Sequence, residues 1–141
     1  MRYYYFARPD RLLLDLDGPR ALARFKDAYA YLFDTHHFRG WTLYRSHQSG
    51  HYHVVVRLND TYSPEHRSYL QALLGSDLKR ERYHARRFVR NVPNPIILIS
   101  FRKYRNLKVD FSCDCPRVWK GRRLRSCYHL RRDVQPGDRP I

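Results

Sequence analysis

The stretch "RLLLDLD" at residues 11–17 is a short apolar run whose alternation predicts a β-strand. Successive side chains of a strand point to opposite faces, so the leucines at even positions share one face. Leu13, Asp15 and Asp17 share the other face. Gly18 and Pro19 end the strand, and proline suits the first turn of a following helix. Two carboxylates are therefore expected side by side at the end of an otherwise apolar strand.

A second pair of strands is predicted further along the chain. The segments "GWTLYRSH" and "HYHVVVRL" are rich in aromatic and β-branched residues, and they flank the turn sequence "QSG". Such an arrangement is typical of a β-hairpin. On its return strand, His51, His53 and Val55 point to the same side. The hairpin therefore presents two imidazoles on one face.

Helices and further strands fill the rest of the chain. Apolar residues at helical spacing predict an amphipathic helix at 19–33. Ser63 and Pro64 open a second helix that Gly75 ends, with its apolar positions at Tyr69, Leu70, Leu73 and Leu74. A third, strongly basic helix, "LKRERYHARRF", is capped by Ser76 or Asp77. Short strands are expected at residues 2–7, in "IILISF" and in "KVDFS".

This order of elements predicts an α/β protein of the mixed α+β kind. We expect one compact domain with a mostly antiparallel sheet and packed helices. The core covers residues 1–111, and residues 112–141 form a basic, irregular C-terminal segment.

Charge changes the picture more than composition does. The 141 residues include 28 Lys and Arg against 13 Asp and Glu, for a formal net charge of +15, and arginine supplies most of the excess. Arginine favours planar, bidentate contact with phosphate. The 12 tyrosines and 7 phenylalanines add rings on which bases stack. Nucleic acid is the expected partner, although an arginine-rich thermophile surface is the alternative.

Location and redox state follow from what the sequence lacks. No apolar run approaches the length of a membrane span, and the N-terminus has no apolar signal-peptide core. We therefore expect a cytoplasmic protein with no membrane partner. Three cysteines do not close a disulfide framework, and in a reducing compartment they indicate free thiols or a metal site.

The acids and histidines, taken together, indicate a metal or phosphate site more strongly than either set does alone. Two carboxylates at Asp15 and Asp17 can hold a divalent cation or share one with substrate phosphates. By spacing alone, solvated acids at a strand end are the commoner outcome. Imidazoles at His51 and His53, beside a Gly/Ser turn and Arg45, make a phosphate or metal site plausible.

At these residues the chain resembles the archaeo-eukaryotic primase-polymerase superfamily, over about residues 11–103. The first motif of that family, two acids flanking a hydrophobic residue after an apolar strand, fits Asp15-Leu16-Asp17. The second motif, a small-residue turn running into a strand histidine, fits Arg45, Ser46, Tyr52 and His53. The resemblance is closest to small catalytic cores of archaea and their mobile elements.

The resemblance implies an RRM-like primase catalytic core that performs metal-dependent nucleotidyl transfer or binds nucleotides and nucleic acid. Its catalytic acids would be Asp15, Asp17 and Asp110, with Mg²⁺ or Mn²⁺ at Asp15 and Asp17. The implied nucleotide-binding residues are Arg45, Ser46, Ser49, His51, His53, Arg80, Arg87 and Lys103. The implied partners are a DNA or RNA template, nucleoside triphosphates, and a helicase or accessory primer-binding subunit in the replication of archaeal or mobile-element DNA.

Several positions depart from the family pattern. Gln48-Ser49 stands for a Ser-Gly pair, and Ser76 and His84 stand where acids are expected. The acid of the late strand falls on Ser100, so the third metal ligand is either Asp110 or missing.

The C-terminal segment offers a separate metal site. Cys113, Cys115, Cys127 and His129 form a Cys3His set suited to tetrahedral Zn²⁺, although their spacings are less common than Cys-x2-Cys. Three unrelated thiols in a basic tail are the alternative. Exposed arginines of the basic helix and of the loop between the cysteines are candidates for nucleic-acid backbone contacts. They are Arg82, Arg86, Arg90, Arg122, Arg123 and Arg125.

Two other classes of function stay open. The "HYH" sequence at His51 and His53 also matches the histidine pair of rolling-circle replication initiators, which would use Tyr83 or Tyr104 as nucleophile. That class leaves Asp15-Leu16-Asp17 without a role. The other class is a non-catalytic, basic nucleic-acid-binding protein.

Overall fold

A computed structural model of the chain describes residues 3–32, 38–45, 50–100, 108–113, 118–119 and 122–123. In these ranges the elements, in chain order, are β1 (Tyr3–Phe6), β2 (Arg11–Asp17), α1 (Pro19–Leu32), β3 (Phe38–Arg45), β4 (His51–Leu58), α2 (Pro64–Leu73), α3 (Leu78–Val89), β5 (Ile97–Ser100), β6 (Lys108–Cys113), β7 (Val118–Trp119) and β8 (Arg122–Arg123).

The main sheet has the strand order β2-β4-β3-β6, and each neighbouring pair in it is antiparallel. Two small antiparallel ribbons, β1–β5 and β7–β8, complete the strands of the described chain. The predicted α+β class with a mostly antiparallel sheet is confirmed, as are the hairpin and the strand at residues 11–17. The hydrophobic alternation along β2 and β4 explains why these segments pair, because each has one fully apolar face.

One face of this sheet carries the core. The even-numbered leucines of β2, the valines Val54 and Val56 of β4, and Trp41 pack against α1 and α2. On α1, the residues at helical spacing that turn inward include Phe25 and Tyr29. The ring of Phe25 meets Trp41 edge-on at 5.1 Å, and Tyr29 stacks on Phe38 at 4.8 Å. Such aromatic pairs stabilise the core beyond their buried area.

Helix α2 buries a different face from the one its apolar residues predict. Leu70 and Leu74 are buried as expected, but Tyr69 and Leu73 are 65% and 47% exposed. Polar residues, Arg67 and Gln71, occupy the buried face instead. They are tolerated because each finds buried partners. Arg67 donates to the carbonyl oxygens of Tyr62 and Arg8 at 3.1 and 2.9 Å.

The ends of the two later helices follow the local signals. Ser63 caps α2 by accepting a hydrogen bond from His66 N, and Asp77, not Ser76, caps α3 by accepting from Lys79 N. Gly75 adopts φ +91°, a conformation that glycine reaches without strain, and this lets the chain turn between the helices. Among the helices described, none combines the length and apolar character needed to cross a bilayer.

Candidate functional site

The face of the sheet opposite α1 brings the acids of β2 and the histidines of β4 together. In the β2–β4 register Asp15 lies directly opposite His53, and Asp17 lies directly opposite His51. Tyr44 of β3 continues the first row, since it lies opposite His53 on the other side. Alternation along the sequence predicts that the two acids share a face of β2 and that the two histidines share a face of β4. Only the pairing of the two strands places acid against imidazole.

The two cross-strand pairs differ in their access to solvent. His51 Nε2 lies 3.4 Å from Asp17 Oδ1, and the two side chains are 33% and 74% exposed. His53 Nε2 lies 3.6 Å from Asp15 Oδ1, and these side chains are 7% and 31% exposed. The Asp17–His51 pair is therefore accessible to solvent, whereas the Asp15–His53 pair lies at the edge of the buried sheet surface.

His53 is a buried polar group with an unmet hydrogen-bonding capacity. Its Nδ1 is shielded from solvent and has no hydrogen-bond partner among the residues that the structure describes. Burial lowers the pKa of His53, Asp15 opposes that shift, and the charges of Arg80 and His51 lower the pKa further. The imidazole is therefore neutral at neutral pH. A buried polar atom left unsatisfied is uncommon in folded proteins and is costly.

The outer edge of β2 is held by side chains of α2 and α3 and by residues of the turn between them. Leu13 N donates to Gln71 Oε1 at 3.1 Å, and Arg80 Nη1 donates to Leu13 O at 2.6 Å. Asp15 N donates to Ser76 Oγ at 3.3 Å, and Asp15 O accepts from Asp77 N at 2.9 Å. Backbone groups that an edge strand usually leaves open are thus paired at Leu13 and Asp15, which fixes the backbone beneath the Asp15 carboxylate.

Glu81 is the centre of this assembly, which we call the Glu81 network and which comprises Gln71, Ser76, Arg80, Glu81 and His84. Glu81 Oε1 accepts from Gln71 Nε2 at 2.7 Å and lies 3.1 Å from His84 Nδ1. Glu81 Oε2 accepts from Ser76 Oγ at 2.9 Å and from Arg80 Nη1 at 3.2 Å. Burial alone raises the pKa of Glu81, but the hydrogen bond from His84 and the charge of Arg80 lower it below its ordinary value.

Two arginines predicted to bind nucleotide are engaged inside the protein. Arg80 donates to the carbonyls of Leu13 and Ile97 and to Glu81, which gives it a structural role. Arg87 donates to the carbonyl oxygens of Pro95 and Asn94. The exposed basic residues of α3 and its C-cap are instead Lys79, Arg82, Arg86 and Arg90.

Ser76 and His84, which occupy positions where the resemblance leads one to expect acids, both bind Glu81. The negative charge is therefore present in this region, but it is carried by a different residue. Glu81 and Gln71 were not predicted as functional residues. Glu81 offered a signal, because an acid amid the arginines of a basic helix needs a reason to be there.

The backbone places Asp110 far from the other two acids. Asp110 lies in β6, at the register shift opposite Leu43 and Tyr44, and β6 is the other edge of the sheet. Three strand spacings separate it from β2, or about 14 Å. The structure therefore brings Asp15 and Asp17 together and leaves Asp110 apart. Ser100 ends β5 opposite Tyr3. Within the described ranges, no group of three or more His, Cys, Asp or Glu side chains is arranged to hold a metal ion.

The remaining predicted residues fall at the limits of the description. Arg45 ends β3, Cys113 ends β6, and Arg122 and Arg123 form β8. The predicted residues that lie outside the described residues are Ser46, Ser49, Lys103, Tyr104, Cys115, Arg125, Cys127 and His129.

The same sheet face carries basic residues that sequence analysis missed. Arg11 of β2 lies directly opposite Arg57 of β4. Arg11 Nη1 contacts Asp10 Oδ2 at 2.9 Å, and Arg39 Nη2 approaches the same oxygen at 3.6 Å. Parity along the strands was an available signal, because Arg11 and Asp15 share a face, as do Arg57 and His53.

The chain has no match among protein-family models and no significant match among curated proteins or solved structures. The resemblance to primase-polymerase cores is therefore carried by the motif residues themselves. What the site can do must be inferred from the chemistry of the open sheet face.

Proposed function

We propose that this protein carries out metal-dependent nucleotidyl transfer of the primase-polymerase type on the sheet face that carries Asp15, Asp17 and the two histidines of β4. The observation that supports the proposal is the antiparallel register, which sets Asp15 against His53 and Asp17 against His51. Two hard carboxylates, of which Asp17 is 74% and Asp15 31% exposed, and two imidazoles on one sheet face suit a ligand that carries both a metal ion and phosphates.

The donor set fits a magnesium or manganese ion that arrives with its nucleotide. Mg²⁺ keeps several of its waters and is commonly held by one or two carboxylates together with substrate phosphates. Asp15 and Asp17, two residues apart on one strand face and both accessible, provide such a pair. The absence of a three-ligand cage among the described side chains is compatible with this mode of binding. When bound, the ion would activate the attacking 3′-hydroxyl and offset the charge that develops on the phosphate.

The chain's own residues would orient the substrate. Neutral His53 and the more exposed His51 carry ring N–H groups that can donate to phosphate oxygens. Ser76 and Asp77 hold the backbone of Asp15, so that its carboxylate keeps a constant position. Arg82 and Arg86 of α3 and its C-cap Arg90 are spaced by four residues, are exposed and would attract the nucleic-acid backbone.

A primer-extension assay tests the proposal directly. Purified protein is incubated with a primed template and labelled nucleotides in Mn²⁺ or Mg²⁺, and Asp15→Asn and Asp17→Asn are compared with the wild type. Asp60→Asn is the matched control, because Asp60 lies in the loop after β4, at the opposite end of that strand from His51. We expect extension by the wild type and the control and a loss of at least about 100-fold in both site variants. Extension that survives Asp15→Asn would exclude the proposed site.

The same assay separates two other functions. His51 and His53 share one face of β4, which is the arrangement that rolling-circle initiators use. Cleavage of single-stranded DNA with a covalent tyrosine adduct would assign that chemistry instead, and Tyr83, 45% exposed on α3, is the nucleophile to substitute first. Binding without extension or cleavage would indicate a non-catalytic nucleic-acid-binding protein.

A further inference from the structure

Three arginines lie together on the sheet face that carries the acids, at the opposite end of the strands from Asp15 and Asp17. Arg11 and Arg57 are a directly opposed cross-strand pair, and Asp10 joins Arg11 to Arg39. We call these three residues the arginine row. Like charges placed directly opposite one another destabilise a sheet, and the Asp10 carboxylate is shared between Arg11 and Arg39. Arg57 also donates to Thr42 Oγ1 at 2.8 Å, which holds its side chain over the sheet. Such a cluster is what an anionic ligand requires.

A cleft of about 530 Å³ opens beside the arginine row. It is lined by Tyr5, Phe6, Arg8, Arg11, Leu13 and Val55. Leu13 and Val55 form an apolar floor that is nearly fully buried, while Phe6 is 55% exposed at the rim. The cleft thus combines aromatic rings, an apolar surface and guanidinium groups, which are the elements that bind a base together with its phosphate.

On the strands beneath the cleft, Leu13 and Val55 lie between the arginine row and the acid–imidazole rows. Along β2, Leu13 is two residues from Arg11 on one side and two from Asp15 on the other, and Val55 stands in the same relation to Arg57 and His53. Each such step is about 7 Å along a strand. Ala7, Tyr44 and Ile96 pack with Leu13 and Val55 in a second apolar cluster, so the cleft exposes only a small part of this floor.

We propose that the cleft binds one nucleotide unit of a single-stranded nucleic acid. The phosphates of the strand contact Arg8 and the arginine row, and a base lies over the floor of Leu13 and Val55 against Phe6. A duplex cannot enter, because its bases are stacked on one another and their faces are not available. The direction of the strand, with its end towards Asp15, rests on the nucleotidyl-transfer function proposed above. Binding itself does not depend on that function.

The phosphate contacts are tested by equilibrium binding of a fluorescein-labelled oligothymidine, followed by fluorescence anisotropy in EDTA. Binding is measured between about 50 and 200 mM salt, which is about 5- to 20-fold above the concentration at which surface charges interact almost unscreened. The variant is Arg8→Gln/Arg39→Gln, and the matched control is Arg20→Gln/Arg24→Gln. Both pairs remove two exposed charges, but the control pair lies on α1, which packs on the other face of the sheet. We expect the slope of log affinity against log salt to fall by about 1.4 in the cleft variant only. Equal losses in the two variants would overturn the proposal.

Phe6→Ala tests the base contact, with Tyr31→Ala as the control, because Tyr31 is 84% exposed on α1. Stacking of one base predicts that Phe6→Ala weakens oligothymidine binding about 5- to 100-fold. Binding of inorganic tripolyphosphate, which has no base, should not change. A loss that is the same for both ligands would contradict a base in the cleft.

Primer extension by the same variants separates the two proposals. If the cleft variants lose oligonucleotide binding and the wild type never extends a primer, the cleft stands and nucleotidyl transfer fails. If the wild type extends primers and the cleft variants do so with an unchanged KM for the primer, nucleotidyl transfer stands and the cleft fails.

Discussion

The protein has two histidine–carboxylate contacts near β2, and they differ in how completely the imidazole is hydrogen-bonded. His84 lies 3.1 Å from Glu81 and, through Nε2, 3.2 Å from the backbone N of Ile97, so both ring nitrogens are used. His53 lies 3.6 Å from Asp15, and within the described ranges its Nδ1 has no hydrogen-bond partner. Both imidazoles are buried to a similar degree. The difference between them is therefore hydrogen-bond saturation, and not exposure.

The degree to which hydrogen-bonding groups are satisfied indicates whether a region has a structural or a binding role. In the Glu81 network, burial is offset by hydrogen bonds and by the Arg80 charge, so its members join α2, α3, β2 and β5 into one unit. On the open face, polar groups are held close together without completing one another. Groups of that kind lower stability and are retained where a ligand completes them. Four experiments with variants test this contrast.

The largest effect is expected from Glu81→Ala. It leaves Arg80 buried without its charge partner, and breaking a buried ion pair from one side costs about 3–5 kcal/mol. Urea denaturation measures the loss. Glu65→Ala, which removes an exposed acid from the first turn of α2, should cost less than about 1 kcal/mol. A comparable loss in both variants would mean that the network contributes little to the fold.

A smaller effect is expected when the two histidines are replaced in the same way. His84→Leu leaves the donor Ile97 N without its acceptor and removes one of the contacts of Glu81 Oε1, at a cost of about 1–3 kcal/mol. His53→Leu removes a polar atom that already lacks a partner, so we expect a change in unfolding free energy within about 0.5 kcal/mol, or a gain. Chemical denaturation of the two variants side by side measures the difference. Equal destabilisation would remove the distinction between the regions.

Ser76 connects the two regions, and Ser68 provides its control. Both hydroxyls bind Glu81, but only Ser76 Oγ also accepts from the backbone N of Asp15. Each serine-to-alanine change should cost about 1 kcal/mol. Only Ser76→Ala should also weaken Mn²⁺ binding at Asp15, measured by titration calorimetry with a nucleotide present. Loss of metal affinity in both variants would indicate a general loosening of the fold.

The smallest expected change is the variation with pH of the difference in unfolding free energy between the wild type and Glu81→Gln. Because the pKa of Glu81 is lowered in the folded protein, its ionised form stabilises the fold above the ordinary carboxyl pKa. That contribution is lost as the pH falls through the lowered value. The difference in unfolding free energy between wild type and Glu81→Gln should therefore be largest near neutral pH and shrink in acid. A difference that grows on acidification would show that Glu81 is held protonated.

Local pattern was sufficient for much of the fold. The alternation of residues 11–17, the turn at residues 48–50 and the capping residues before α2 and α3 predict elements whose bounds the structure confirms within a few residues. Pattern failed on α2, because the periodicity of apolar residues does not show that Arg67 and Gln71 find buried partners. Those partners come from distant parts of the chain.

The sequence by itself determined that Asp15 and Asp17 share a strand face, that His51 and His53 share another, and that the chain carries a charge suited to an anionic partner. These properties depend on the two-residue period of a strand and on composition. The tertiary structure decided which faces meet. It set Asp15 against His53, Arg11 against Arg57, and Ser76 against the backbone of Asp15 across 61 residues of sequence. Such contacts depend on the pairing and register of distant segments, which the local periodicity of the chain does not encode.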